Sequence, residues 1–149
     1  MIKKIHHLGI AVRDIRESEK LFTQLLGVSP HHVEDVKSQE AKIVSYRIGE
    51  VTVELTAPTS DDSPIARFIA KRGEGLHHVA FEVDDIYSEM DRLRRGGFHL
   101  VTEVPEIGAE DTQIAFLHPK STSGVLVELV ALPEGGGRKG AAPENDSSR

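Results

Sequence analysis

Residues 6–15 read HHLGIAVRDI and residues 77–86 read HHVAFEVDDI. Five of the ten positions are identical, most of the rest are apolar exchanges, and the offset is 71. A second pair follows in the same order. VELTA at 53–57 meets VELVA at 127–131, with four of five identical at an offset of 74. Two blocks that recur in order at nearly constant spacing mark a duplicated unit. A solenoid would need at least three shorter copies.

Both copies carry the same local pattern. A strand is expected over Ile5–Val12 and again over Leu76–Val83. A helix follows each. In the first unit Asp14, with Glu17 three residues on, resembles a capping box. Ile15, Ser18, Leu21, Phe22, Leu25 and Leu26 form its expected inner face, and Gly27 stops it. In the second unit Asp84 or Asp85 starts the helix. Ile86, Met90 and Leu93 face inward, and Gly96-Gly97 ends it. Three further strands are expected in each unit: near His32–Val36, Ala41–Ile48 and Val51–Ala57, then near Phe98–Val104, Thr112–Leu117 and Val125–Leu132. Between the units, Ser63-Pro64 is a cap and first-turn pair for a short helix through Ile65, Phe68 and Ile69 to Gly73. The expected fold is α+β: one domain over 1–132, built as two tandem βαβββ units (about 3–58 and 75–132) joined by a linker helix at 63–73. Residues 133–149, rich in Gly, Pro and Ser without apolar periodicity, read as a disordered tail.

Composition narrows the function. At 149 residues, 38% hydrophobic and 28% charged, the chain holds enough apolar material for a core. Its formal charge of −6 and 5% aromatic content exclude the basic footprint of a nucleic-acid binder. The absence of cysteine removes disulfides, thiolate metal sites and Cys nucleophiles. No apolar run approaches the ~20 residues of a membrane span, and the start lacks a signal-peptide pattern, so a cytoplasmic location is expected. Eight histidines in an acidic chain stand out.

Duplication puts similar chemistry at equivalent positions. His7 and His78 are second in their blocks, and Glu54 and Glu128 sit in the last strand of each unit. Two imidazoles and two carboxylates are a ligand set for a divalent first-row metal. Strand alternation sharpens this, since residues i and i±2 share a face. Glu128 shares its face with Leu126 and Val130, where an ionised carboxylate costs several kcal/mol unless paired or metal-bound. Glu54 lies between Thr52 and Thr56. His7 shares a face with Gly9 and Ala11, and His78 with Ala80, so small neighbours leave room for an ion and its ligand. By the same alternation His6 and His77 are expected on the opposite face. His31, His32, His99 and His118 read as ordinary surface or packing histidines.

These residues resemble those of the vicinal oxygen chelate superfamily, in which paired βαβββ units curve around one divalent metal. DSPIARFIAKRGEGLHHVAFEVDDI (62–86) and FLHPKSTSGVLVELV (116–130) resemble the methylmalonyl-CoA epimerase family more narrowly, and IHHLGIAV agrees. The resemblance covers about residues 3–132. It implies a curved mixed sheet with His7, Glu54, His78 and Glu128 on the metal. Cobalt is the common ion, with zinc, manganese, nickel or magnesium as substitutes. It further implies an acyl-CoA substrate and a homodimer. The implied reaction interconverts (2R)- and (2S)-methylmalonyl-CoA by removing the C2 proton, with the metal as Lewis acid on the enolate and Glu128 as base.

Two departures from the family pattern bear on this. Some members place a second Glu, an opposite-face base, where this chain aligns Lys42, with Glu40 two residues earlier; Lys42 becomes the candidate second acid/base. Relatives usually carry Gly-Gly-Lys-Arg where this chain has Glu110, Asp111, Thr112 and Gln113 within IGAEDTQ (107–113). That leaves Arg67, Lys71, Arg72 and Lys120 for the nucleotide end, with Arg72 and Lys120 the substrate-binding candidates.

Other readings stay open. A glyoxalase I-like lactoylglutathione lyase can use the same four ligands, although its usual DPDG-like turn is HPKSTSG here. A ring-cleaving dioxygenase needs two His and one carboxylate around Fe(II), so a fourth ligand argues against it. A non-enzymatic small-molecule binder has no need of all four.

Overall fold

The computed structural model describes residues 1–135. The tail expected over 133–149 lies outside the described residues from position 136 onward. The first unit runs β1 (Ile2–Ala11), α1 (Ile15–Leu26), β2 (His32–Val36), β3 (Ala41–Ile48) and β4 (Val51–Pro58). Helix α2 (Pro64–Arg72) links it to the second unit: β5 (Gly75–Val83), α3 (Ile86–Arg95), β6 (Glu106–Ile107), β7 (Gln113–Leu117) and β8 (Val127–Ala131).

The eight strands form one mixed sheet in the order β2-β3-β4-β1-β5-β8-β7-β6, curled into a half-barrel. The order is its own mirror image, as the duplication requires. β1 pairs parallel with β4, and β5 parallel with β8. A parallel pair needs a long crossover, and the intervening helix and strands provide it in each unit. β1 and β5 run antiparallel at the centre and join the two units.

Each strand presents alternate residues to a helix-covered face. α1 packs Ile15, Phe22 and Leu26 against Val12, Val44, Tyr46, Leu55 and Ala57. α3 packs Ile86, Met90 and Leu93 against Val83, Ala115, Leu117, Leu129 and Ala131. Full burial of a large apolar side chain, as at Leu55, Ile86, Met90 and Leu129, contributes about 1.5–3 kcal/mol. The Tyr46 hydroxyl donates to the Glu19 carbonyl of α1 and accepts from Thr23 Oγ1, both at 2.9 Å. The helix starts follow capping chemistry. Asp14 accepts from the amides of Arg16 and Glu17, Asp85 from Tyr87 and Ser88, and Ser63 from Ala66. Gly27 closes α1 in the left-handed region, at φ 70°.

Two sequence expectations change here. Leu21 and Leu25 are not on the inner face of α1: they are 61% and 69% exposed. The buried stripe follows 15, 18, 22 and 26, and a residue one position away is turned about 100° off it. The strand expected near Phe98–Val104 does not form. That stretch makes a single bridge, Leu100 to Leu117, and the ladder with β7 begins only at Glu106. Pro105 explains the break, because it lacks an amide donor and restricts the residue before it.

The face free of α1 and α3 lines the hollow of the half-barrel. α2 plugs part of it, with Ile65 and Ile69 against Ala11 and Ala41. The outermost strands are laced together beyond it. Ser38 Oγ donates to the Ile107 carbonyl at 2.7 Å, Gln39 Nε2 to Glu106 Oε2 at 2.8 Å, and the Glu110 amide to Glu34 Oε1 at 3.0 Å.

Candidate metal centre

The register of the central strands carries two side chains from each unit to one point in the hollow. Gly9 of β1 pairs with Glu54 of β4 on one side and His78 of β5 on the other. His7 pairs with Ala80, and Ala80 with Glu128 of β8. His7 Nε2 lies 2.9 Å from His78 Nε2, 3.7 Å from Glu54 Oε1 and 3.3 Å from Glu128 Oε2. His78 Nε2 is 3.0 Å from Glu128 Oε2. Ligand atoms of His7, Glu54 and His78 all fall within 4.8 Å of one another. None of the four residues is more than 7% exposed.

This spacing fits one divalent ion. Donors ~2.1 Å from a common centre stand ~3.0 Å apart at right angles and ~4.2 Å apart when opposed. The nitrogen and oxygen donor mix suits a first-row ion. Without a cation, burying two carboxylates is costly, and the His7 imidazole answers that charge. Burial alone would lower the His7 pKa, but the Glu54 and Glu128 carboxylates outweigh it and push it up to about 9. Burial raises Glu54, only partly offset by His7 and His78. Burial would raise Glu128 too, yet charge and hydrogen bonds from His7 and His78 hold it well below the usual carboxylate range. Glu128 is therefore ionised at neutral pH.

A cavity of about 270 Å³ opens above the cluster. Ile43, Ser45 and Arg47 of β3 line one wall, and Ile114 and Phe116 of β7 another. Gly108, Ala109, Glu110 and Thr112 bring the 107–113 loop to its rim. Glu110 sits there in the left-handed region, at φ 55°.

The structure brings together His7, Glu54, His78 and Glu128, but not the other sequence candidates. Lys42 shares the helix-covered face of β3 with Val44 and Tyr46 and pairs at 3.7 Å with Asp35 on the neighbouring strand. Alternation that aims Ile43 and Ser45 into the cavity turns Lys42 away from it. Arg72 lies outside this cavity too. Its guanidinium is 5.9 Å from the Phe68 ring, beside a second hollow of about 440 Å³ that reaches His77 and His78. Lys120 is exposed in the turn Pro119–Ser121, next to the same hollow.

His6 is the reverse case. It was expected on the opposite face from His7, yet it lines the cavity with His7, and their Nδ1 atoms are 2.8 Å apart. His77 Nδ1 is likewise 2.9 Å from His78 Nδ1. The β1–β5 ladder slips by one residue between Ile5 and His7, and again beside His77. Such bulges suspend strict alternation. The repeated His-His dipeptide was the available signal.

A family model described as the Glyoxalase/Bleomycin resistance protein/Dioxygenase superfamily matches residues 6–116. An uncharacterized Bacillus subtilis protein, YqjC, is 35% identical over 128 residues, covering 86% of this chain and 91% of its own. The ethylmalonyl-CoA/methylmalonyl-CoA epimerase of Cereibacter sphaeroides is 34% identical, covering 87% and 98%. A variant of Streptomyces coelicolor methylmalonyl-CoA epimerase, solved with 2-nitronate-propionyl-CoA, superposes with a TM-score of 0.87 at 31% identity, covering 90% of this chain and 97% of that one. Paired βαβββ units, a buried His and Glu cluster and this family match agree, and the chain belongs to the Glyoxalase/Bleomycin resistance protein/Dioxygenase superfamily.

Proposed function

We propose that the chain is a metal-dependent epimerase interconverting (2R)- and (2S)-methylmalonyl-CoA. The observation that carries this reading is the geometry of Glu128, whose carboxylate lies 3.3 Å from the His7 imidazole and 3.0 Å from that of His78 and lines the cavity above the cluster. The likeness to proteins named as methylmalonyl-CoA epimerases supports it.

The substrate's C2 lies between a thioester and a carboxylate, so its proton is acidic once charge on the thioester oxygen is stabilised. His7, Glu54, His78 and Glu128 would hold the divalent ion, cobalt first among the candidates. When bound, that ion supplies Lewis acidity toward the thioester oxygen. Glu128 accepts the C2 proton as general base. Ile114, Phe116 and Ile43 give that exchange apolar walls, and Arg47 offers the cavity wall a cation for an anionic substrate group. Arg72 and Lys120, beside the second hollow, are the candidates for the CoA end.

The test is proton NMR in D2O with methylmalonyl-CoA and added cobalt. Metal-dependent exchange at C2 with interconversion of the epimers is the expected result. Turnover of methylglyoxal with glutathione, and none of the CoA ester, would assign the chain to the lyase chemistry instead.

A further inference from the structure

His6 and His77 occupy equivalent places in the two units, each one residue before a cluster imidazole. Each also sits where the β1–β5 ladder slips: His6 between the pairs Ile5–Phe81 and His7–Ala80, His77 between Gly9–His78 and Ile10–Leu76. In an unbroken strand neighbouring side chains point to opposite faces, and their rings cannot meet. The bulges bring them edge to face, with ring centroids 5.1 Å apart in both pairs. The result is a row of four imidazoles. His6 Nδ1 meets His7 Nδ1 at 2.8 Å, His7 Nε2 meets His78 Nε2 at 2.9 Å, and His78 Nδ1 meets His77 Nδ1 at 2.9 Å.

We infer that His6 and His77 are positioning residues that fix the tautomer and ring angle of His7 and His78 for an ion. A neutral imidazole carries its proton on one nitrogen and a lone pair on the other. For His7 and His78 to present Nε2 lone pairs to a common ion, their protons must sit on Nδ1. Each Nδ1–H then needs an acceptor, and the Nδ1 atoms of His6 and His77 are those acceptors. His77 is itself held by the Phe68 ring, at 4.8 Å and 90°. The duplicated unit thus contributes a ligand and its orienting partner together, twice.

This inference rests on the metal reading of the cluster, and the experiment separates the two. Cobalt affinity is measured by calorimetry on the full chain and on His77→Asn and His77→Leu, with the Co(II) visible spectrum and the metal-free melting temperature recorded for each. Asn keeps an acceptor at the δ position; Leu keeps only bulk. Removing an outer-shell partner typically costs 10–100-fold in affinity, so His77→Leu is expected to lose about that much and shift the Co(II) bands, while His77→Asn stays within about threefold of wild type. Metal-free melting temperatures are expected to match. Equal affinity of His77→Leu and wild type overturns the inference. So does an equal loss in both variants, or a loss that tracks a fall in melting temperature. His6→Asn and His6→Leu repeat the test on the other unit should His77→Leu fail to fold. A wild-type chain that takes up no cobalt overturns the metal reading itself.

Discussion

The imidazole of His78 lies directly over the backbone of Gly9. A Cβ built on Gly9 would stand 2.0 Å from His78 Cε1 and 2.3 Å from its Nδ1. Gly9 is flanked in the sheet by Glu54 and His78, so a residue without a side chain marks the place where the two units' ligands converge. Gly9→Ala is expected to push the ring off the cluster. Overpacking of this kind costs about 1–3 kcal/mol. Thermal unfolding checks the stability loss, and calorimetry with cobalt checks an accompanying loss of affinity.

Glu128→Gln keeps shape and removes the base. General-base side chains typically contribute 10²–10⁴-fold, so C2 proton exchange in D2O is expected to fall by roughly that factor. Lys42→Ala makes the contrast. Its amine sits on the other face of β3 in an exposed pair with Asp35, and such pairs contribute ~0–1 kcal/mol. Exchange rate and melting temperature are expected to stay close to wild type.

Proton release should accompany metal uptake. The carboxylates of Glu54 and Glu128 keep His7 protonated, at a pKa of about 9, in the metal-free chain. An imidazole must shed its proton to ligate, so binding at pH 7 should liberate a proton and tighten as pH rises toward 9. Calorimetry in buffers of different ionisation enthalpy reads this directly. Stability has the corresponding sign. A folded-state pKa raised above 6.5 gives stabilisation that is complete below 6.5 and lost as pH passes about 9. Glu128, shifted the other way, loses its contribution progressively as pH falls below the ordinary carboxylate pKa. The metal-free protein should therefore weaken as pH rises from 6.5 to 9 in denaturant titrations, with no further loss from this group above that.

Tyr46→Phe tests how α1 is fastened to the sheet. The buried hydroxyl satisfies the Glu19 carbonyl and the Thr23 hydroxyl together. Losing it should cost about 1–2 kcal/mol in denaturant unfolding and leave cobalt affinity unchanged, since the ring lies on the helix-covered face.

The fold was legible because duplication states it twice and strand alternation then sorts the faces. His32–Val36 and Ala41–Ile48 fall on the expected residues, and the four site residues meet as the alternation required. What escaped was whatever depends on departures from regularity. Strict period-two alternation does not encode a bulge, and the bulge at His6 turns its side chain to the cavity. A resemblance-based alignment chose Lys42, while the register presents Ile43 to the cavity. Leu21 and Leu25 match the composition of an inner face but miss its angle. The 107–113 loop carries left-handed residues at Glu110 and Asp111, which no periodicity encodes.

The antiparallel seam between β1 and β5 has a thermodynamic corollary. Neither unit owns more than two of the four donors, so a severed half would be a bidentate chelator at best. Ion capture and cohesion of the halves are then one linked equilibrium: whatever strengthens the seam raises affinity, and a captured ion clamps the seam in return. Two separately produced half-chains should reunite more tightly with cobalt than without it.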